Sequence, residues 1–146
     1  MKLGIILQSN KPEHAWNTFR LGIAALKADH QVEIFLMNEG SELDTIPDSE
    51  HFDISAKVAE FKKLKGEIYA CGTCLEIRGK SENKVCPVST MFDLLKMVES
   101  SDKVLVFGKL HDYEKTYFHN SWRNRRWFVC HQCKCSNDGW VFQLSD

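Results

Sequence analysis

Six cysteines are distributed along this 146-residue chain, and those in Tyr69-Ala70-Cys71-Gly72-Thr73-Cys74-Leu75-Glu76-Ile77-Arg78-Gly79 have surroundings suited to reactivity. A strand ending at Cys71 with a short helix beginning at once would set the Cys71 sulfur before unpaired backbone N–H groups, which favour thiolate over thiol. Gly72 permits a tight turn, and Thr73 can donate its hydroxyl to a nearby sulfur or anion. Arg78, one helical turn past Cys74, adds positive potential. Such a pocket suits an anion or a persulfide. The plain alternative is that Cys71 is a small apolar residue closing a strand. The Cys71-x-x-Cys74 spacing also serves redox dithiols, half of a zinc site, or chance proximity. A thioredoxin-like fold is excluded by context: the pair does not follow an early strand, and none of Pro12, Pro47 and Pro87 supplies the required cis-proline beside an antiparallel half-sheet. Cys86 follows the polar stretch Lys80 to Lys84 and precedes Pro87. There it could return to the mouth of the same crevice as a resolving or sulfur-accepting thiol, or be an ordinary loop cysteine.

A second group of thiols lies near the C-terminus, in Cys130-His131-Gln132-Cys133-Lys134-Cys135. Three thiolates and an imidazole match a tetrahedral zinc shell, so Cys130, His131, Cys133 and Cys135 are candidate ligands for a structural zinc. Adjacent Cys130 and His131 would have difficulty reaching one ion, and His111, His119 or a second subunit would then complete the set. Trp127-Phe128-Val129 and Trp140-Val141-Phe142 flank the group, with the turn former Asn137-Asp138-Gly139 between them, which predicts a small β-hairpin. Arg123, Arg125 and Arg126 beside Trp122 and Trp127 invite comparison with single-stranded nucleic-acid grooves, but three arginines are a thin footprint.

The elements that must position Cys71 follow from hydrophobic periodicity. Lys2 to Gln8 is a buried strand, and Asn10 a candidate cap for a helix with Pro12 in its first turn. Trp16, Phe19, Ile23 and Leu26 form its apolar stripe. Val32 to Met37 is a second strand, followed by a polar loop to Ser49. Ile54, Val58, Phe61 and Leu64 mark another helix, stopped near Gly66 after lysines that suit a helix C-terminus. Glu67 to Ala70 is a third strand leading into Cys71. Ser89 and Thr90 offer caps to a helix striped by Met91, Leu94, Leu95 and Val98, and Lys103 to Phe107 is the last strand. This alternation predicts a three-layer α/β/α domain with a mostly parallel sheet over residues 1–107, with four clear strands. Ligands of such sheets gather beyond the carboxyl ends of the strands, where Cys71 lies.

Composition bounds the remaining possibilities. With 19 basic and 20 acidic residues there is no overall field to gather a polyanion, so nucleic acid is not an expected partner. No run has the length of a membrane span or the pattern of a signal peptide, and the expected compartment is the cytoplasm. There, cysteines point to catalysis or metal rather than structural disulfides. Residues 108–146 are a different kind of sequence, holding three of the four tryptophans, and are an extension appended to the main domain. Their aromatic side chains suggest a subunit interface and hence a homo-oligomer.

Residues 1–107 resemble the DsrE family of small sulfur-relay proteins, which includes DsrE/DsrF and TusD-type subunits. The matching features are the opening strand ending near Gln8, the strand into Ala70-Cys71, the Arg78-Gly79 pair with Gly79 eight residues after Cys71, and the closing helix and strand to Phe107. The resemblance implies a five-stranded sheet, oligomers, and proteinaceous sulfur donors and acceptors without a cofactor. It makes Cys71 the sulfur-carrying residue, receiving a sulfane sulfur as a persulfide and relaying it to another thiol as a sulfurtransferase would. Two other functions fit the residues: a non-catalytic oligomeric scaffold of the same fold, and a Cys71/Cys74 thiol-disulfide reductase.

Overall fold

Near-continuous apolar runs are the pattern of strands buried on both faces. In the computed structural model, which describes residues 1–108, 118–119 and 128–129, they form a five-stranded, all-parallel sheet. Its strands are β1 (Lys2–Leu7), β2 (Gln31–Leu36), β3 (Glu67–Cys71), β4 (Val88–Ser89) and β5 (Lys103–Phe107), in the order β4-β3-β2-β1-β5. Ile5 stands opposite Ile34 on one side and Leu105 on the other. The fifth strand, β4, pairs Val88 with Ala70 and Ser89 with Cys71. Two residues carry no alternation, so nothing in the sequence announces this strand. Pro87 just before it lacks an N–H, but its carbonyl accepts from the Ala70 N–H at 3.1 Å, as suits a sheet edge.

Helices α1 (Pro12–Lys27) and α2 (Ile54–Lys63) pack on one face and α4 (Met91–Ser100) on the other, while the short α3 (Gly72–Ile77) follows β3 directly. Phe19 and Ile23 of α1 and Ile54, Val58 and Phe61 of α2 join Ile5, Leu7, Ile34 and Leu36 in the larger core. Full burial of each such side chain contributes about 1.5–3 kcal/mol. Phe19 and Phe61 meet edge to face, with centroids 5.6 Å apart, and tie the two helices together.

Two expectations are corrected at helix faces and ends. Pro12 does occupy the first turn of α1, but the cap residue is Lys11, which has no side-chain acceptor, rather than Asn10. The Asn10 amide instead donates to Glu42 at 3.5 Å. On α4, Leu94 and Met97 face the sheet, whereas Met91, Leu95 and Val98 of the expected stripe are exposed. The helix carries two apolar faces, and the sheet covers only one. Its start follows the expected capping chemistry: the Thr90 hydroxyl accepts the Asp93 N–H while the Asp93 carboxylate accepts the Thr90 N–H.

The chain divides into two compact units, Met1–Lys109 and Leu110–Asp146. In the second, β6 (Phe118–His119) and β7 (Phe128–Val129) pair antiparallel. The Trp140–Phe142 half of the expected hairpin lies outside the described residues.

Candidate functional site

Pleating decides where the Cys71 thiol goes. Successive side chains of β3 alternate between faces, so Ile68 and Ala70 enter the α1/α2 core, whereas Tyr69 and Cys71 turn toward α4. Cys71 is only 2% exposed and packs in a cluster with Phe35 and Met97. It is the cap residue of α3, in an extended conformation, yet its side chain makes no capping hydrogen bond. The expected placement of this sulfur against the helix donors is therefore not what forms.

Cys74 sits one turn into α3 and packs, half-buried, against the same cluster. Its sulfur accepts the backbone N–H of Asn38 at 3.2 Å. Burial and a hydrogen bond with the Cys71 thiol push the Cys74 thiol above its ordinary pKa, while the Asn38 N–H and the Arg78 guanidinium pull the other way. Arg78 folds back along α3, donating from Nη1 to the Cys74 carbonyl at 2.9 Å, and its Nε lies 3.5 Å from the Glu42 carboxylate. Cys74 thus packs against the Cys71 cluster, and Arg78 bonds to the Cys74 carbonyl.

Thr73 and Cys86 do not join them. Thr73 is exposed and makes no side-chain hydrogen bond among the described residues. Cys86 is buried in the α1/α2 core, not at the Cys71 cluster, and its thiol lies 3.7 Å from the Asn83 amide oxygen. Burial pushes it up to about 11, which leaves it a thiol at neutral pH. Among the described residues no group of three His, Cys, Asp or Glu side chains is arranged to hold a metal. Cys130, His131, Cys133 and Cys135 lie outside the described residues.

The element that sequence reasoning missed is the segment after β2. Instead of an open polar loop, Asn38–Thr45 forms 3-10 turns whose Gly40, Ser41 and Leu43 are buried. Asn38 adopts a left-handed conformation, φ 51°, which asparagine tolerates better than most residues. The Leu7 carbonyl accepts the Met37 N–H at 3.0 Å, and the Met37 carbonyl accepts that of Gly40 at 2.9 Å. Further along, the Asn83 amide donates to the Ser41 carbonyl at 2.8 Å and Lys80 pairs with Asp44 at 2.9 Å. These contacts hold the turn over α3 and aim the Asn38 N–H at Cys74. Asn38-Glu39-Gly40 is legible as a turn, but nothing local links it to a sulfur 36 positions later.

A five-stranded parallel sheet with Cys71 at the carboxyl end of an inner strand and Cys74 on the helix that follows defines a cysteine-bearing α/β domain. The chain belongs to the DsrE/DsrF-like family, whose model matches residues 1–107. An uncharacterized protein of Methanopyrus kandleri, MK0008, is 30% identical over 105 residues, covering 65% of this chain and 83% of that protein. Among solved structures, the ychN protein from E. coli superposes with a TM-score of 0.63 at 24% identity, covering 73% of this chain and all of that one. The conserved protein of unknown function BT1422 from Bacteroides thetaiotaomicron gives a TM-score of 0.58 at 16% identity, over 73% of this chain and 94% of its own. These structural likenesses establish the fold. Among the described residues, no helix is long and apolar enough to cross a membrane.

Proposed function

We propose that this protein is a sulfur carrier in which Cys71 holds a sulfane sulfur as a persulfide between a donor protein and an acceptor thiol, in the cytoplasm. The observation that carries this reading is the packing of Cys71, at the carboxyl end of β3, and Cys74, on the helix that follows, in one cluster, in a chain of a family associated with sulfur relay. Transfer needs no cofactor: a thiolate attacks the outer sulfur of a donor persulfide, one S–S bond forms as another breaks, and the donor leaves as a thiolate. The apolar cluster of Phe35 and Met97 keeps bulk water from the carried sulfur. Intact-mass spectrometry tests the reading after incubation with a cysteine desulfurase and cysteine. Carrier function requires a gain of one sulfur that peptide mapping places on Cys71 in wild type and that can leave to an acceptor thiol. A wild-type protein whose added sulfur never maps to Cys71 would defeat it.

The packing of both cysteines in one cluster also favours a second reading, a Cys71/Cys74 dithiol reductase. That activity predicts a stable intramolecular disulfide of defined potential, with a mass loss of two hydrogens in place of a sulfur gain. Under either reading the protein works as a homo-oligomer. Met91, Phe92, Leu95 and Val98 of α4 and Val106 on the same side of β5 give a second copy an apolar face to cover.

A further inference from the structure

We propose that Cys74, rather than Cys71, takes sulfur from outside and hands it inward to Cys71, an internal shuttle that rests on the carrier reading above. Two observations carry it. Cys71 is 2% exposed, so a donor protein cannot bring a persulfide to its sulfur without opening the Phe35–Met97 cluster. Cys74 stands half-buried at the rim and packs against the cluster that holds Cys71, three residues away on the helix that Cys71 caps. A third supports the direction of transfer. When sulfur leaves Cys74, negative charge develops on Sγ, and the Asn38 N–H at 3.2 Å already points at that atom. The Arg78 guanidinium, held against the Cys74 carbonyl, adds attraction for the same charge.

The inward step balances without an oxidant or reductant. The Cys71 sulfur attacks the outer sulfur of the Cys74 persulfide, and a new S–S bond forms on Cys71 while that on Cys74 breaks. The electron pair stays on Cys74 Sγ, which takes up the proton released by Cys71. The products are a Cys71 persulfide and a Cys74 thiol. Attack on the inner sulfur would instead give a Cys71–Cys74 disulfide and free hydrosulfide, the outcome of a reductase.

The experiment loads the full-length protein with a cysteine desulfurase and cysteine, or with inorganic polysulfide, then alkylates at intervals and maps the added sulfur to peptides. In wild type the sulfur is expected on Cys74 first and on Cys71 afterwards. In Cys71→Ser it should stop on Cys74. In Cys74→Ser and Cys74→Ala, loading of Cys71 by the desulfurase should fall by about tenfold or more, because a neighbouring reacting group at high effective concentration has been removed. Far-ultraviolet circular dichroism and melting curves establish that both Cys74 variants fold. Unchanged Cys71 loading in folded Cys74 variants, or Cys71→Ser that never carries sulfur on Cys74, would overturn the shuttle while leaving the carrier reading intact. Wild type that gains no sulfur at any time would overturn both.

Discussion

Gly40→Ala is the substitution for which the structure dictates the largest effect at the site without touching a thiol. A Cβ added at Gly40 would run into the Leu7 carbonyl oxygen and sit 2.8 Å from the carbonyl carbon. Neither atom belongs to a flexible side chain, and the same carbonyl oxygen already accepts the Met37 N–H, so the peptide cannot turn aside. The turn must move outward, losing the burial of Ser41 and Leu43 and the aim of the Asn38 N–H. Overpacking in a close-packed interior costs about 1–3 kcal/mol, and a clash with backbone belongs at the upper end. For a domain of this size that corresponds to a fall in melting temperature of roughly 10 °C. Gly79→Ala is the internal control: its φ of +68° is strained for alanine, but nothing lies within 4 Å of the added carbon. It should cost about 1–2 kcal/mol from conformation alone. Thermal unfolding followed by circular dichroism gives both values, and amide hydrogen exchange should show faster exchange at Asn38 in Gly40→Ala only. A Gly40→Ala protein that melts no lower than Gly79→Ala, with Asn38 still protected, would refute the claim that the Leu7 contact fixes this turn.

Arg78→Ala removes a positive charge that lowers the Cys74 pKa, so the midpoint of its pH-dependent alkylation should move upward; a downward shift would mean that the guanidinium does not act on this sulfur. The Asp93 carboxyl is held down to about 2, first by the Thr90 side chain and backbone and then by Ser89. Because its folded pKa lies below the ordinary 3.8, it contributes stability above that value, and this is lost as pH falls toward about 2. Thr90→Ala, which removes the helix cap, should therefore lower the melting temperature at neutral pH and flatten the acid limb of a stability–pH curve. For assembly, Leu95→Glu with Val106→Lys should convert an oligomer seen by light scattering to a monomer, and a wild-type monomer at micromolar concentration would remove the interface.

Most of the fold was legible because long elements carry period. The stripe of Trp16, Phe19, Ile23 and Leu26 packs on the sheet as read, and the four strands of the sequence reading are all present and all parallel. What failed has physical causes. Val88–Ser89 is too short for any period and is identified as a strand only by its pairing with Ala70 and Cys71. The α4 stripe was misread because Leu94 and Met97 define one apolar face, and Met91, Leu95 and Val98 another. Spacing reveals that both are apolar, but not which one the sheet covers.

At the site, three- and four-residue separations along one short helix place Cys74 near Cys71 and Arg78 near Cys74. Local spacing misjudged the sulfur that receives a backbone donor, because that choice belongs to a turn fixed by Leu7 and reaching across from another strand. The correction bears on chemistry. A buried thiol protects bound sulfur from water and stray thiols, but for the same reason it is a poor point of entry. An exposed thiol has the opposite merits. Cys71 and Cys74 differ in burial while packing in one cluster. Entry and storage can then be divided between two sulfurs at little cost in movement. With Cys71 alone, every loading event would require local opening of the Phe35–Met97 cluster, and exchange would be limited by that opening rather than by thiol chemistry.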